Sequence, residues 1–126
     1  MSVPNNLKYT KEHEWVLVEA NVGTIGVTEY AQGELGDVVF VDIDPSLSDV
    51  KKGESIGTIE AVKTVSDIFA PYSGKVVEIN EALKDSPETV NSDPYGNGWM
   101  IKIEISDSAE LSDLLDASAY QALIGQ

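Results

Sequence analysis

A chain of 126 residues with 22 acidic side chains, eight lysines, no arginine and a net charge of −14 is poorly suited to phosphate-rich partners. Binding to nucleic acid or anionic lipid begins with cations at phosphates. With no cysteine in the chain, disulfide scaffolds, cysteine-ligated zinc and thiol nucleophiles are excluded. No run approaches the roughly 20 apolar residues of a membrane span, so the expectation is a soluble monomer that meets basic protein surfaces readily.

In chain order, Leu7-Lys8-Tyr9 leads into a polar turn from Thr10 to Glu14, and strands are predicted over residues 15–19 and 24–28. Residues 29–35 read as a short helix that Gly36 stops, because glycine takes the left-handed C-terminal conformation cheaply. Residues 38–43 are β-branched and aromatic, hence a strand, and Pro45 and Ser46 end it. Residues 55–62 follow Gly53 and carry Ile56, Ile59, Ala61 and Val62, which predicts a strand buried on both sides. Residues 66–70 precede a Pro71-Tyr72-Ser73-Gly74 turn, with proline at its second position, and residues 75–79 form the next strand.

Ser86-Pro87-Glu88 signals a helix start, with serine as cap and proline at the first helical position. A loop over residues 93–98 leads to residues 99–105, where Trp99, Ile101, Ile103 and Ile105 fall on one face and Met100, Lys102 and Glu104 on the other. The tail reads as helical. Asp107 is its expected cap with Glu110 reaching back, Leu111, Leu114 and Leu115 are its apolar stripe, and Ser118 is expected to cap a last helix through Ile124. Gly36 to Val41 and Gly74 to Ile79 echo one another, each a turn glycine followed by a valine-rich strand, which suggests two similar β units. The reading is a mainly β, antiparallel fold with small helices, occupying one domain over residues 1–126.

A self-sufficient active site is not legible. His13 is the only histidine, no Gly-x-Ser-x-Gly elbow exists, and one imidazole cannot build a histidine metal site. Flanked by Glu12 and Glu14, it reads as a solvated surface residue. Asp42, Asp44 and Ser46 imitate a calcium loop only faintly, because Leu47 and Gly53 stand where such a loop needs glycine and a bidentate glutamate. Lys63 is out of character. It lies in the apolar run Glu60-Ala61-Val62-Lys63-Thr64-Val65, and an ammonium there must project outward, as a lysine snorkelling at a strand edge or as one exposed lysine flanked by two strands. Local propensity marks no turn at Val62-Lys63-Thr64, since glycine, proline and asparagine are all absent.

The stretch from Gly57 to Val76, with Ile59-Glu60-Ala61-Val62-Lys63, Ser66-Asp67-Ile68 and Ala70-Pro71 followed by Ser73-Gly74, closely resembles the lipoyl-attachment hairpin of glycine cleavage H-proteins. Lys11-Glu12-His13-Glu14-Trp15, Gly36-Asp37-Val38-Val39-Phe40-Val41-Asp42, and Asn91-Ser92-Asp93-Pro94-Tyr95 with Gly98-Trp99 resemble the same family in the same order. A biotin carrier would show methionines around its lysine, where this chain has Val62 and Thr64. An acyl carrier, which Asp44-Pro45-Ser46-Leu47 faintly resembles, would be a helical bundle.

The resemblance implies a flattened antiparallel β-barrel or sandwich of the lipoyl/biotinyl hybrid type with a C-terminal helix. It implies a lipoyl-like core at about residues 22–104, an N-terminal extension over 1–21 and a helical segment over 105–126. It implies lipoic acid joined covalently to Lys63, and Glu12, Glu14 and Asp67 in a cleft that receives the arm and its aminomethyl cargo, unless those acids are merely solvated. The implied role is a carrier, not an enzyme. It would move the aminomethyl group of glycine from a pyridoxal-phosphate glycine decarboxylase to a tetrahydrofolate-dependent aminomethyltransferase, with reoxidation by dihydrolipoyl dehydrogenase and initial modification by lipoate-attaching enzymes. A lipoyl relay to other complexes remains open beside it. With no transit segment read among the first twenty residues, the expected home is the bacterial cytoplasm rather than a mitochondrial matrix.

Overall fold

A computed structural model describes residues 3–125. In chain order its elements are β1 (Lys8–Tyr9), β2 (Glu14–Glu19), β3 (Val22–Val27), α1 (Glu29–Leu35), β4 (Val38–Ile43), β5 (Asp49–Val50) and β6 (Ser55–Ala61). There follow β7 (Val65–Phe69), β8 (Gly74–Ile79), α2 (Ala82–Asp85), α3 (Thr89–Ser92), β9 (Ile101–Ile105), a 3-10 helix (Ser108–Asp113) and α4 (Ala117–Leu123). The strands form a six-stranded sheet in the order β1-β2-β3-β9-β8-β5 and a three-stranded sheet in the order β4-β6-β7. Every pairing between these strands is antiparallel. The result is a sandwich of two sheets with no closed barrel. The two glycine-led strands of the sequence echo, β4 and β8, lie in different sheets.

Side chains from both sheets make the core, among them Ile25, Val41, Ile43, Ile56, Ile59, Ile68, Ile101 and Ile103, all nearly inaccessible. Each such side chain stabilises by roughly 1.5–3 kcal/mol, whereas an exposed ion pair such as Lys52–Asp113 contributes about 0–1 kcal/mol. Apolar burial, not charge, holds this acidic chain together. A second cluster of Leu7, Tyr9, Trp15, Ala117 and Tyr120 pins α4 to β1 and β2, with Tyr9 and Tyr120 stacked at 4.6 Å between centroids. Trp15 lies flat across Gly26, its register partner, where a Cβ would stand 2.7 Å from the indole.

Several sequence expectations change. The strand expected over residues 55–62 ends at Ala61 and is buried on one face only; an irregularity between Ser55 and Gly57 turns Ile56 to the same side as Ile59 and Ala61. Met100 is fully buried rather than outward, because β9 starts two residues later than expected, at Ile101, and the Met100 amide donates to Ile25 O at 2.8 Å. The tail does not begin with an α-helix. Asp107 does cap it, accepting from Ala109 N at 3.0 Å, but the turn is 3-10 and Glu110 does not reach back. Its carboxylate instead accepts from Ser73 N at 2.6 Å and Ser73 Oγ at 3.1 Å.

The leucine stripe divides: Leu111 and Leu114 pack on the main core and Leu115 on the second cluster, after Leu115 forms a bridge with Tyr9. Asp116, not Ser118, caps α4, accepting from Ala119 N at 2.8 Å. At Ser86-Pro87 the turn into α3 begins through backbone bonds, Thr89 N to Ser86 O and Val90 N to Pro87 O, with no side-chain cap. The helical bundle of an acyl carrier is excluded by the two-sheet architecture. Among the described residues no helix is long and apolar enough to cross a membrane.

Candidate functional site

The β6–β7 hairpin closes at Ala61 to Thr64, where the Ala61 amide donates to Thr64 O at 2.9 Å. Tertiary bonding replaces turn residues here: the Val62 amide donates to Asp37 O at 3.0 Å, tying the tip to the start of β4. Lys63 is exposed at the apex, and among the described residues it makes no ion pair or hydrogen bond. Its methylene stem runs over Gly36, where a Cβ would lie 3.4 Å from the Lys63 Cγ. Gly36 has φ 84° and ψ −157°, a conformation essentially reserved for glycine. Its carbonyl accepts from Asn91 Nδ2 at 3.0 Å, while Asn91 Oδ1 accepts from Val38 N at 2.8 Å, so the backbone beneath the lysine is held from two sides.

Below the hairpin lies a groove of about 120 Å³, and Glu12, Glu14 and Asp67, the three acids expected in a cleft, all line it. Val27, Ala31, Leu35 and Ile59 supply its apolar wall. The acids are not equivalent. Glu12 and Asp67 are exposed, as solvated acids would be, whereas Glu14 is buried at 2% exposure. Glu14 belongs to β2 rather than to the polar turn, and each of its oxygens accepts one hydrogen bond. Oε1 accepts from Thr10 Oγ1 at 2.8 Å and Oε2 accepts from the Phe69 amide at 2.9 Å. Burial pushes the Glu14 carboxyl up to about 7; the bonds from Phe69 and Thr10 oppose the shift and neighbouring Glu12 adds to it. A wider cavity of about 570 Å³ opens behind, bounded by Glu14, Phe69, Lys52 and Asp113 among others, so Glu14 stands in the wall between two openings.

The 10–14 turn is stiff. Thr10 Oγ1 accepts from the Glu12 amide at 3.3 Å and the Glu14 amide at 3.1 Å, and His13 sits at φ 69° while its carbonyl accepts from Thr28 N at 3.0 Å. His13 is not the solvated side chain expected from its acidic neighbours. It lines the groove, its Nδ1 lies 2.9 Å from Tyr120 Oη, and its ring packs 4.9 Å from Tyr30. Tyr120 Oη also bonds Thr28 Oγ1 at 2.7 Å, and burial is the main cause that pushes its hydroxyl up to about 12. Sequence reading missed the apolar wall, His13 and Tyr120 as parts of the site; the 3.6-residue spacing of Ala31 and Leu35 was the one local signal available. Asp44 Oδ1 accepts from Ser46 N at 2.9 Å and Ser46 Oγ at 2.7 Å, a closed turn in place of a calcium loop. Among the described residues no cluster of three histidine, aspartate or glutamate side chains could hold a metal ion.

Comparison with known proteins decides the family, since residues 7–126 match that of the glycine cleavage H-protein. The chain belongs to the glycine cleavage H-protein family. It is 57% identical over 126 residues to the glycine cleavage system H protein of Staphylococcus haemolyticus (strain JCSC1435), covering 100% of both chains. To the glycine cleavage system H protein of Staphylococcus carnosus (strain TM300) it is 56% identical over the same 126 residues, again covering 100% of both. The crystal structure of a glycine cleavage system H protein from Mycobacterium marinum matches with a TM-score of 0.86 and 38% identity, covering 98% of this chain and 100% of that one. H-proteins carry lipoate covalently on a lysine, and this chain is accordingly a lipoyl carrier of the glycine cleavage system. An exposed lysine at a braced apex beside an acid-lined groove fits that group.

Proposed function

We propose that Lys63 is the lipoylated residue and that Glu12, Glu14 and Asp67 receive the amine of the cargo. The observation that carries this reading is the Lys63 amine at the exposed apex of the β6–β7 hairpin, without a partner among the described residues, beside the groove those acids line. The lipoyl group supplies a reducible disulfide that bonds the aminomethyl group derived from glycine. The chain supplies position. Gly36 gives the lysine stem a flat bed, and amide formation at Nζ removes the only cationic charge at the tip. Val27, Ala31, Leu35 and Ile59 exclude water from a docked arm, protecting a carbon bonded to both nitrogen and sulfur from hydrolysis. A cargo ammonium approaching Glu14 favours its carboxylate form and makes a charge-assisted bond there.

The proposed partners are a pyridoxal-phosphate glycine decarboxylase, a tetrahydrofolate-dependent aminomethyltransferase, dihydrolipoyl dehydrogenase and the lipoate-attaching enzymes. The proposed setting is the bacterial cytoplasm, which the staphylococcal relatives support. The chain performs no chemistry of its own on this reading, and residues 1–126 act as one domain. Bonding of β1 and β2 into the sheet that contains β3 and β9 supports treating the N-terminal segment as part of that domain.

The test is intact mass and peptide mapping after expression with lipoate, together with glycine–CO2 exchange in the reconstituted system. One lipoyl increment on Lys63, and loss of both increment and exchange in Lys63→Arg, is expected. An increment on any other lysine ends the proposal.

A further inference from the structure

We propose that the outer face of the β4–β6–β7 sheet is the docking surface for the enzyme that acylates Lys63, and that this enzyme presents apolar side chains ringed by lysine and arginine. Register defines the face. Phe40, Glu60 and Val65 form one row across the three strands, and Asp42 pairs with Thr58 in the next. A bulge between Val38 and Phe40 leaves Val39 outward as well. Val39, Phe40, Val62 and Val65 are 53%, 47%, 72% and 61% exposed, whereas the other exposed large hydrophobics, Val18, Val77 and Leu123, are scattered over β2, β8 and α4. Apolar exposure gathered at one place marks an interaction site, while scattered residues do not.

Charge specifies the partner. Asp37, Asp42 and Glu60 border the patch, and Lys63 is the only base on β4, β6, β7 or their connecting tip. An acid-rimmed apolar patch complements a base-rimmed apolar one. Reach selects the acylating enzyme among the carrier's partners. Bare lysine extends only by its four-carbon stem, here laid along Gly36, so a catalyst acting on Nζ must close upon the flanking sheet. Enzymes that act on the far end of the acylated arm face no such demand. With an acyl adenylate as donor, the Lys63 ammonium first gives up one proton to expose its lone pair. Nζ then bonds the acyl carbon, the acyl carbon–phosphate oxygen bond breaks to release AMP, and a second Nζ proton leaves as the amide forms.

This inference rests on Lys63 as the attachment residue, and the experiment separates the two. Unlipoylated carrier is incubated with lipoate, ATP and a purified bacterial lipoate–protein ligase, and initial rates are read by intact mass. In Phe40→Thr/Val65→Thr and in Asp42→Lys, kcat/KM is expected to fall about tenfold or more through KM, the size of a lost interface anchor. Val77→Thr, on the opposite sheet, is expected to match the parent, and acetylation of Lys63 by a small reagent is expected to proceed at the parent rate in all variants. Parent-like ligase rates in the patch variants overturn the docking surface while leaving Lys63 in place; a lipoyl group on another residue overturns both. Concentration-dependent dimerisation abolished by the patch variants would assign the face to a second copy and overturn the proposal. Unchanged acylation with slowed turnover of lipoylated carrier by dihydrolipoyl dehydrogenase would likewise overturn it.

Discussion

Glu14 carries the most specific energetic consequence of the fold. Its carboxyl is raised from 4.5 to about 7 chiefly by burial, so the folded protein holds this proton more tightly than the unfolded chain does. Between those two values the native state binds more protons than the denatured state, and stability must fall as pH rises. The contribution is fully present below the unfolded value near 4.5 and is lost as pH passes through about 7. At about 1.4 kcal/mol per unit the whole effect is about 3 kcal/mol, and with the residue 2% exposed, solvent screening takes little from it. Glu14→Gln mimics the protonated form and removes the titration.

Urea unfolding of the parent and the variant from about pH 4.5 to 8 isolates the effect, because repulsion among the other acids cancels in the difference. The variant's stability relative to the parent should climb by about 3 kcal/mol across that range. Parallel pH profiles would show that Glu14 is solvated in solution and that the argument from its burial is wrong.

Gly36→Ala forces a side chain into a backbone conformation that residues with Cβ avoid, and should cost about 1–3 kcal/mol in urea unfolding. It should also slow modification of Lys63, since the new methyl would lie against the lysine stem. Tyr120→Phe deletes the hydroxyl shared by His13 and Thr28 and should lower stability by about 1–3 kcal/mol; a changed His13 ring nitrogen shift by NMR would report the lost bond directly. Asp116→Ala removes the cap of α4 and should cost about 1 kcal/mol, with little change in the acceptance of lipoate.

Alternating and β-branched runs made most of the strands legible. Residues 15–19, 38–43 and 75–79 appear as strands within a residue of where their pattern puts them, and the strand expected over 99–105 begins two residues late, at Ile101. Two-residue β1 and β5 are too short for any periodicity to show. Helix α2 is four residues long and lacks a side-chain cap, so no sequence signal marks it. The tip at Lys63 is invisible to turn propensity because a bond from Val62 to Asp37, not a special residue, shapes it. Glu14 carries no local mark of burial: its second oxygen is satisfied by the Phe69 amide, 55 positions away. His13 and Tyr120 meet across 107 positions, so only the docking of α4 reveals them as neighbours. What the pattern conveyed was which residues face a core; what it withheld was every polar contact made between distant elements.

A carrier on the proposed plan must hold an amine without trapping it, and the three acids divide that work through their environments. Exposed Glu12 and Asp67 attract a cation weakly, because water screens them. Buried Glu14 already accepts two hydrogen bonds, so an arriving ammonium meets an acceptor whose ionisation is opposed by the same burial that strengthens the final contact. Near neutral pH the empty groove exchanges a proton there at little free-energy cost, since the carboxyl titrates at about 7. Departure of the cargo can therefore be matched by proton uptake at Glu14 rather than by a stranded buried charge. A fully solvated carboxylate would bind too weakly to shelter the amine, and a permanently ionised buried one would bind too tightly to release it.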